Sequence, residues 1–136
     1  MAALIDTSVF IDAERQRIPV ADLLDRLPDE PAIAAITASE LLVGIYHADS
    51  ENRRLRREAF VEEIIRSVPV IVFDLDIARI HARLTAEMRA AGLQIGQHDL
   101  QIAATAVTVG CAVLTANLRD FRRVPGLLVQ SLADLL

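Results

Sequence analysis

Lysine is missing from the 136 residues, and all 14 basic side chains are arginine. A P-loop needs a Gly-Lys-Ser/Thr step and Schiff-base chemistry needs an amine, so neither is available. Tryptophan is also missing, and cysteine occurs once. Cys111 therefore has no internal disulfide partner, and its place in the apolar run Cys111-Ala-Val-Leu114 reads as a buried structural thiol. No apolar stretch reaches the roughly 20 residues that span a bilayer. The opening residues Met1 to Asp6 lack the basic segment of a secretory signal. The expectation is a cytoplasmic protein with no membrane attachment. Aromatic residues are few: Phe10, Tyr46, Phe60, Phe73 and Phe121. A net charge of -5 gives no long-range field for a polyanion.

What is present suffices for a core. Hydrophobic residues make up 53% of the chain, far from a disordered profile, and the length suits one compact domain over residues 1–136. Short apolar runs alternate with segments of helical period. Ala2 to Ile5 reads as a first strand, Ala32 to Ile36 as a second, Val70 to Phe73 as a third, Ala112 to Thr115 as a fourth and Leu127 to Val129 as a fifth. Helices are expected over Ser8 to Glu14, Val20 to Leu27, Thr37 to about His47, Asp49 to Arg66, Asp74 or Asp76 to Ala91, and from Asp99 to before Gly110. Thr37 and Glu40 have capping-box spacing, and Gly92 is a plausible helix stop. Leu55, Phe60, Ile64 and Ile65 are expected to point inward from the charged helix. Strands alternating with helices imply an α/β fold, a central parallel five-stranded sheet flanked by helices.

Four acids stand near the ends of these runs. Asp6 follows the first strand, Glu40 follows the second by a few residues, Asp120 follows the fourth, and Asp99 opens the helix that leads into the fourth. In open α/β sheets the carboxyl edge is where ligands bind. Each acid has a plainer role available: a helix cap for Asp6, the return half of the capping box for Glu40, a first-turn dipole partner for Asp99, a turn residue for Asp120. Together they form a cluster whose mutual repulsion calls for a counter-ion. With no lysine to supply it, a hard divalent cation is the natural one, and metal-assisted attack on a phosphodiester is the matching chemistry. Receiver domains share this design but use a lysine. Phosphatases of the haloacid dehalogenase type want an Asp-x-Asp, where this chain has Asp6-Thr7-Ser8.

Four segments carry a resemblance: Leu4-Ile-Asp-Thr-Ser8, Thr37-Ala-Ser-Glu-Leu41 with Gly44, His98-Asp-Leu-Gln-Ile-Ala-Ala-Thr105, and Leu114-Thr-Ala-Asn-Leu-Arg-Asp-Phe121. In this order and spacing the chain resembles the PIN-domain family and, more narrowly, the VapC-type toxins of bacterial toxin–antitoxin pairs. The resemblance implies a single PIN fold and a Mg²⁺- or Mn²⁺-dependent endoribonuclease, homodimeric, blocked by a small antitoxin that offers an arginine to the acidic pocket. It makes Asp6, Glu40, Asp99 and Asp120 catalytic, with Asp6 and Asp99 as metal ligands. Asn117 rivals Asp120 for the fourth position, with Thr115 lining the same loop, while Thr7 and Ser8 are expected to orient Asp6. His98 would serve as a structural or substrate-edge group. A PIN-like module that binds RNA or a partner without cutting is the alternative.

RNA would then be held by local arginines. Arg119, Arg122 and Arg123 flank Asp120 and are the first candidates. Arg15 and Arg17, and Arg53, Arg54, Arg56 and Arg57 on the charged helix, are further ones, although Arg54 and Glu58 have the spacing of a surface ion pair. Structured RNA such as tRNA or rRNA, cut in an exposed loop, suits a protein with so few stacking residues. Leu41 to Tyr46 and Ile77 to Met88 are apolar enough to pair with a second copy or to serve as core.

Overall fold

The computed structural model describes residues 2–135. The chain runs β1 (Ala3–Ile5), α1 (Thr7–Arg15), α2 (Val20–Arg26), β2 (Pro31–Ala34), α3 (Ala35–Tyr46), α4 (Glu51–Ser67), β3 (Val70–Ile71), α5 (Leu75–Ala90), α6 (Gln97–Val109), β4 (Ala112–Thr115), α7 (Leu118–Phe121) and β5 (Val129–Ser131), followed by a 3₁₀ turn over Leu132–Leu135. The five strands are all parallel, in the order β3-β2-β1-β4-β5. No helix among the described residues is long and apolar enough to cross a membrane.

Strand alternation divides the interior into two layers. Ile5, Ile33 and Leu114 face one side, where they pack with Phe10, Val61 and Ile64 of α1 and α4. Leu4, Ala34 and Val113 face the other, against Leu84 of α5 and Ile102, Ala103 and Ala106 of α6. The three alanines of α6 are fully buried, so this helix lies close against the sheet. With helices on both faces the strands read as continuous apolar runs, as parallel sheets require. Cys111 is buried in the second layer, and burial raises its thiol pKa.

Several boundaries differ from the sequence expectation. β2 ends at Ala34, and α3 begins at Ala35 with no intervening loop. Alanine is the best helix former, and the pair Ala34-Ala35 turns the chain directly from strand to helix. Thr37 is therefore inside the helix, and the capping box does not form. β3 stops at Ile71 because its neighbour β2 stops at the paired Ala34; Val72 and Phe73 are left exposed. β5 begins at Val129, two residues later in its start than expected, because register with β4 is set by Val113 opposite Val129. The preceding Gly126 turns with φ +75.

α4 starts at Glu51, capped by the Ser50 hydroxyl, which accepts from the Arg53 N–H at 3.2 Å. Its inward stripe is Val61 and Ile64 with Phe60 and Ile65 partly covered, and Leu55 lies off that stripe, 51% exposed. The apolar side of α5 buries Ile77, Leu84 and Met88. Its Asp74 cap accepts from the Ile77 N–H at 2.9 Å. Gly92 at φ +70 ends it.

Candidate active site

The sheet reverses direction of growth at β1. From β1 the chain moves outward through β2 to β3, and then returns to the other side of β1 through β4 to β5. Loops leaving β1 and β4 therefore part in opposite directions, and the crevice between them is where such sheets bind ligands. Asp6 leaves β1 at this point, and Thr115 ends β4 beside it.

Asp6 occupies the position ahead of α1 but caps no backbone N–H. Its Oδ2 instead accepts from Ser8 Oγ at 2.7 Å and from Thr115 Oγ1 at 2.8 Å. Those hydroxyls are themselves held: the Ala116 N–H donates to Ser8 Oγ at 3.0 Å, and the Asn117 N–H donates to Thr115 Oγ1 at 2.8 Å. The β4 loop is thus tied to β1 by a closed set of bonds around one carboxylate. With Asp6 only 4% exposed, these bonds replace water on one of its oxygens. Both recorded donors take Oδ2, and Oδ1 remains as a lone-pair donor.

Glu40 is positioned from two sides. Thr7 Oγ1 donates to its Oε1 at 2.7 Å, and His98 Nδ1 lies 3.3 Å from its Oε2. Because the α3 start moved to Ala35, Glu40 is free of capping duty and stands one turn into the helix. Asp120 lies on the short α7 and accepts from Asn117 Nδ2 at 3.2 Å. Asn117 is therefore a partner of Asp120 as well as a neighbour of the same loop.

Asp99 lies in the first turn of α6 and is partly buried. Its carboxyl is pushed up to about 6 from the ordinary 3.8, first by burial, then by the charges of Asp6, Glu40 and Asp120, with His98 opposing. The charges of three acids from other elements thus reach Asp99. Gly96 lies beside it, with its Cβ position 3.8 Å from Asp99 Oδ2.

Among the described residues, no three His, Cys, Asp or Glu side chains are already gathered as ligands of one ion. The donor set still fits a hard cation. Mg²⁺ keeps several waters and needs only one or two carboxylates, and here all the donors are oxygens. The repulsion felt by Asp99 is the charge that a divalent ion removes. Asp6 through Oδ1 and Asp99 could hold it, with Glu40 and Asp120 facing the same space.

Two connections differ from the sequence expectation. Thr7 was expected to orient Asp6, but its side chain serves Glu40, because α1 begins at Thr7 and turns its hydroxyl toward α3. Thr115 does more than line the loop, since it is a direct donor to Asp6. Among the arginines, Arg119 and Arg122 are exposed on and just after α7, and Arg123 donates to the Gln94 carbonyl at 3.2 Å. On α4, Arg54 does pair with Glu58, at 3.0 Å, and also with Glu51. Of the two apolar segments, α5 spends its large residues on the core, whereas α3 leaves Val43 and Tyr46 exposed.

The chain is similar to known proteins in sequence and fold. The PIN-domain family matches residues 3–127. Ribonuclease VapC1 of Rickettsia felis is 32% identical over 134 residues, covering 98% of both chains. A tRNA(fMet)-specific endonuclease VapC of Salmonella typhimurium is 34% identical over 98 residues, 72% of each chain. The crystal structure of VapBC-5 from Mycobacterium tuberculosis, a member of the VapBC family of toxin–antitoxin systems, superposes with TM-score 0.75 and 31% identity, covering 96% of each chain. By this match and by a relative of equal extent, the chain belongs to the PIN-domain family, within its VapC group.

Proposed function

We propose that this chain is a Mg²⁺- or Mn²⁺-dependent endoribonuclease, the toxin of a toxin–antitoxin pair, that cuts structured RNA such as tRNA or rRNA in an exposed loop. The observation that carries the reading is that Asp6, Glu40 and Asp120 all act on Asp99, their charges adding to its burial to push its carboxyl up to about 6. Membership of the VapC group supports the ribonuclease activity. The relative named as specific for tRNA(fMet) supports a structured RNA substrate, and the toxin–antitoxin membership of VapBC-5 supports a small antitoxin partner.

In this reading Asp6 and Asp99 hold the cation. Bound there, it would lower the pKa of a coordinated water for in-line attack on the phosphodiester and offset charge on the leaving oxygen. Ser8 and Thr115 fix the rotamer of Asp6 through Oδ2 and leave Oδ1 for the cation. Thr7 and His98 hold Glu40, whose carboxylate orients water or accepts its proton. Asp120, steadied by Asn117, completes the negative edge. Arg119 and Arg122, both exposed, would take phosphates of RNA entering beside Asp120. Val43 and Tyr46 of α3 are the surface on which a second copy would pack.

Purified protein should cleave RNA with Mg²⁺ or Mn²⁺ and stop on addition of a chelator. Asp6→Asn and Asp99→Asn should each abolish cleavage while far-UV circular dichroism stays unchanged. RNA binding with no metal-dependent cleavage by the wild type would replace this reading with that of a binding module.

A further inference from the structure

A second site lies away from the acids. Between the end of α1 with its turn into α2 on one side and α4 on the other is a groove of about 630 Å³. Arg15, Arg17, Arg53, Arg56 and Arg57 line it, and among the described residues Glu14 is its only acid. Five guanidiniums facing one carboxylate is a reversal of sign in a chain of net charge -5. Glu14 is taken by Arg57 at 3.2 Å, and Arg53 is paired at the rim with Asp49 at 2.9 Å. Arg15, Arg17 and Arg56 meet no carboxylate among the described residues.

Backbone geometry at Arg17 points the same way. It has φ +57, the left-handed conformation that favours glycine, and it stands where a helix stop ordinarily carries glycine. Its N–H donates to the Glu14 carbonyl at 3.0 Å, and the Ile18 N–H to the Ala13 carbonyl at 2.9 Å, so the arginine is held on a fixed turn. Glycine would be less strained than arginine at this position.

The groove adjoins a second cavity that reaches Thr7 and Glu40. That cavity is about 260 Å³, and Glu14, Arg15, Arg57 and Phe60 line both spaces. Phe60 offers a half-buried aromatic face along the way, where a base could stack.

We propose that this arginine groove binds the phosphodiester backbone of single-stranded RNA leading away from the acidic site, with Arg15, Arg17 and Arg56 as its phosphate contacts. This rests on the ribonuclease reading for the identity of the polyanion. An acidic protein segment has matching charge, but RNA is favoured because the track begins at Thr7 and Glu40, where a strand presented for cutting must lie.

The test is binding of a fluorescent oligouridylate by anisotropy across a salt series, without divalent cation. Its outcome is therefore separate from whether the protein cleaves, which the Mg²⁺ assay decides. Arg17→Gly with Arg56→Ala should lower the slope of log affinity against log salt by about 1.4, at about 0.7 per phosphate contact, or about 25-fold in affinity at 0.1 M salt. Arg79→Ala with Arg89→Ala on α5, across the sheet, removes the same charge and should leave the slope unchanged. Equal losses in the two double variants would overturn the proposal as an effect of net charge. So would wild-type RNA binding by the groove variant together with loss of binding to an oligoglutamate peptide, which would make the groove a protein site. Arg17→Gly alone should raise the melting temperature while weakening RNA binding, an outcome that a structural role for Arg17 does not produce.

Discussion

Removing the charge of Asp99 should stabilise the metal-free protein while destroying its activity. In the fold its carboxyl ionises near 6, against 3.8 as the ordinary value. The native state therefore holds this proton more tightly than the unfolded chain, and stability falls as pH rises through the interval between the two values. Complete burial would make the loss about 3 kcal/mol above pH 6. Asp99 is only partly buried and solvent screens the charges, so about 1–2 kcal/mol is the reasonable expectation. Asp99→Asn keeps the shape of the side chain and removes the repulsion from Asp6, Glu40 and Asp120. At pH 7 with chelator, the variant should unfold at higher urea by an amount matching about 1–2 kcal/mol, or about 3–6 °C higher on heating. Near pH 4, where the wild-type carboxyl is protonated in the fold, the advantage should shrink toward zero. Saturating Mg²⁺ at pH 7 should also narrow the gap, because the cation stabilises only the protein that binds it. Asp99→Asn no more stable than wild type at pH 7, or a gap independent of pH, would refute the reasoning that these carboxylates repel one another across one site.

Thr115→Val removes a donor from Asp6 and an acceptor from the Asn117 N–H at nearly constant volume. It should cost about 1–3 kcal/mol by urea denaturation and slow cleavage, and Thr115→Ser should restore both; wild-type cleavage by the valine variant would show that Asp6 needs no orientation from β4. Gly110 ends α6 at φ +74, with nothing within 4 Å of its Cβ position, so Gly110→Ala is a pure backbone test. It should lower stability by about 1 kcal/mol in the same assay, and no loss would mean that the turn adjusts.

The central strands and the layered α/β order were legible because parallel strands buried on both faces need unbroken apolar runs, as in Ala112 to Thr115. The ends of elements were less so. Whether Ile36 belongs to a strand or a helix depends on where β2 runs out of partners, and β3 inherits that limit through Ile71. Leu55 shows the same dependence: a helical period names a set of apolar positions, but only packing tells which stripe meets the sheet. The acids were readable as residues at strand ends, and their convergence follows from parallel topology. Their supporting groups were not, since Thr7 and Thr115 are distant in sequence from what they hold.

By itself the sequence determined the kind of chemistry: lysine-free, oxygen-rich donors at the carboxyl edge of a parallel sheet, because strand polarity sends every β-to-α turn to the same side. Tertiary structure alone decided which hydroxyl serves which carboxylate and how far burial and repulsion raise Asp99. It also brought arginines from the first turn and from α4 together as the walls of one groove. Hydrogen bonds and Coulomb interactions act over a few ångströms, and residues more than a hundred positions apart come within that range only once the sheet has formed.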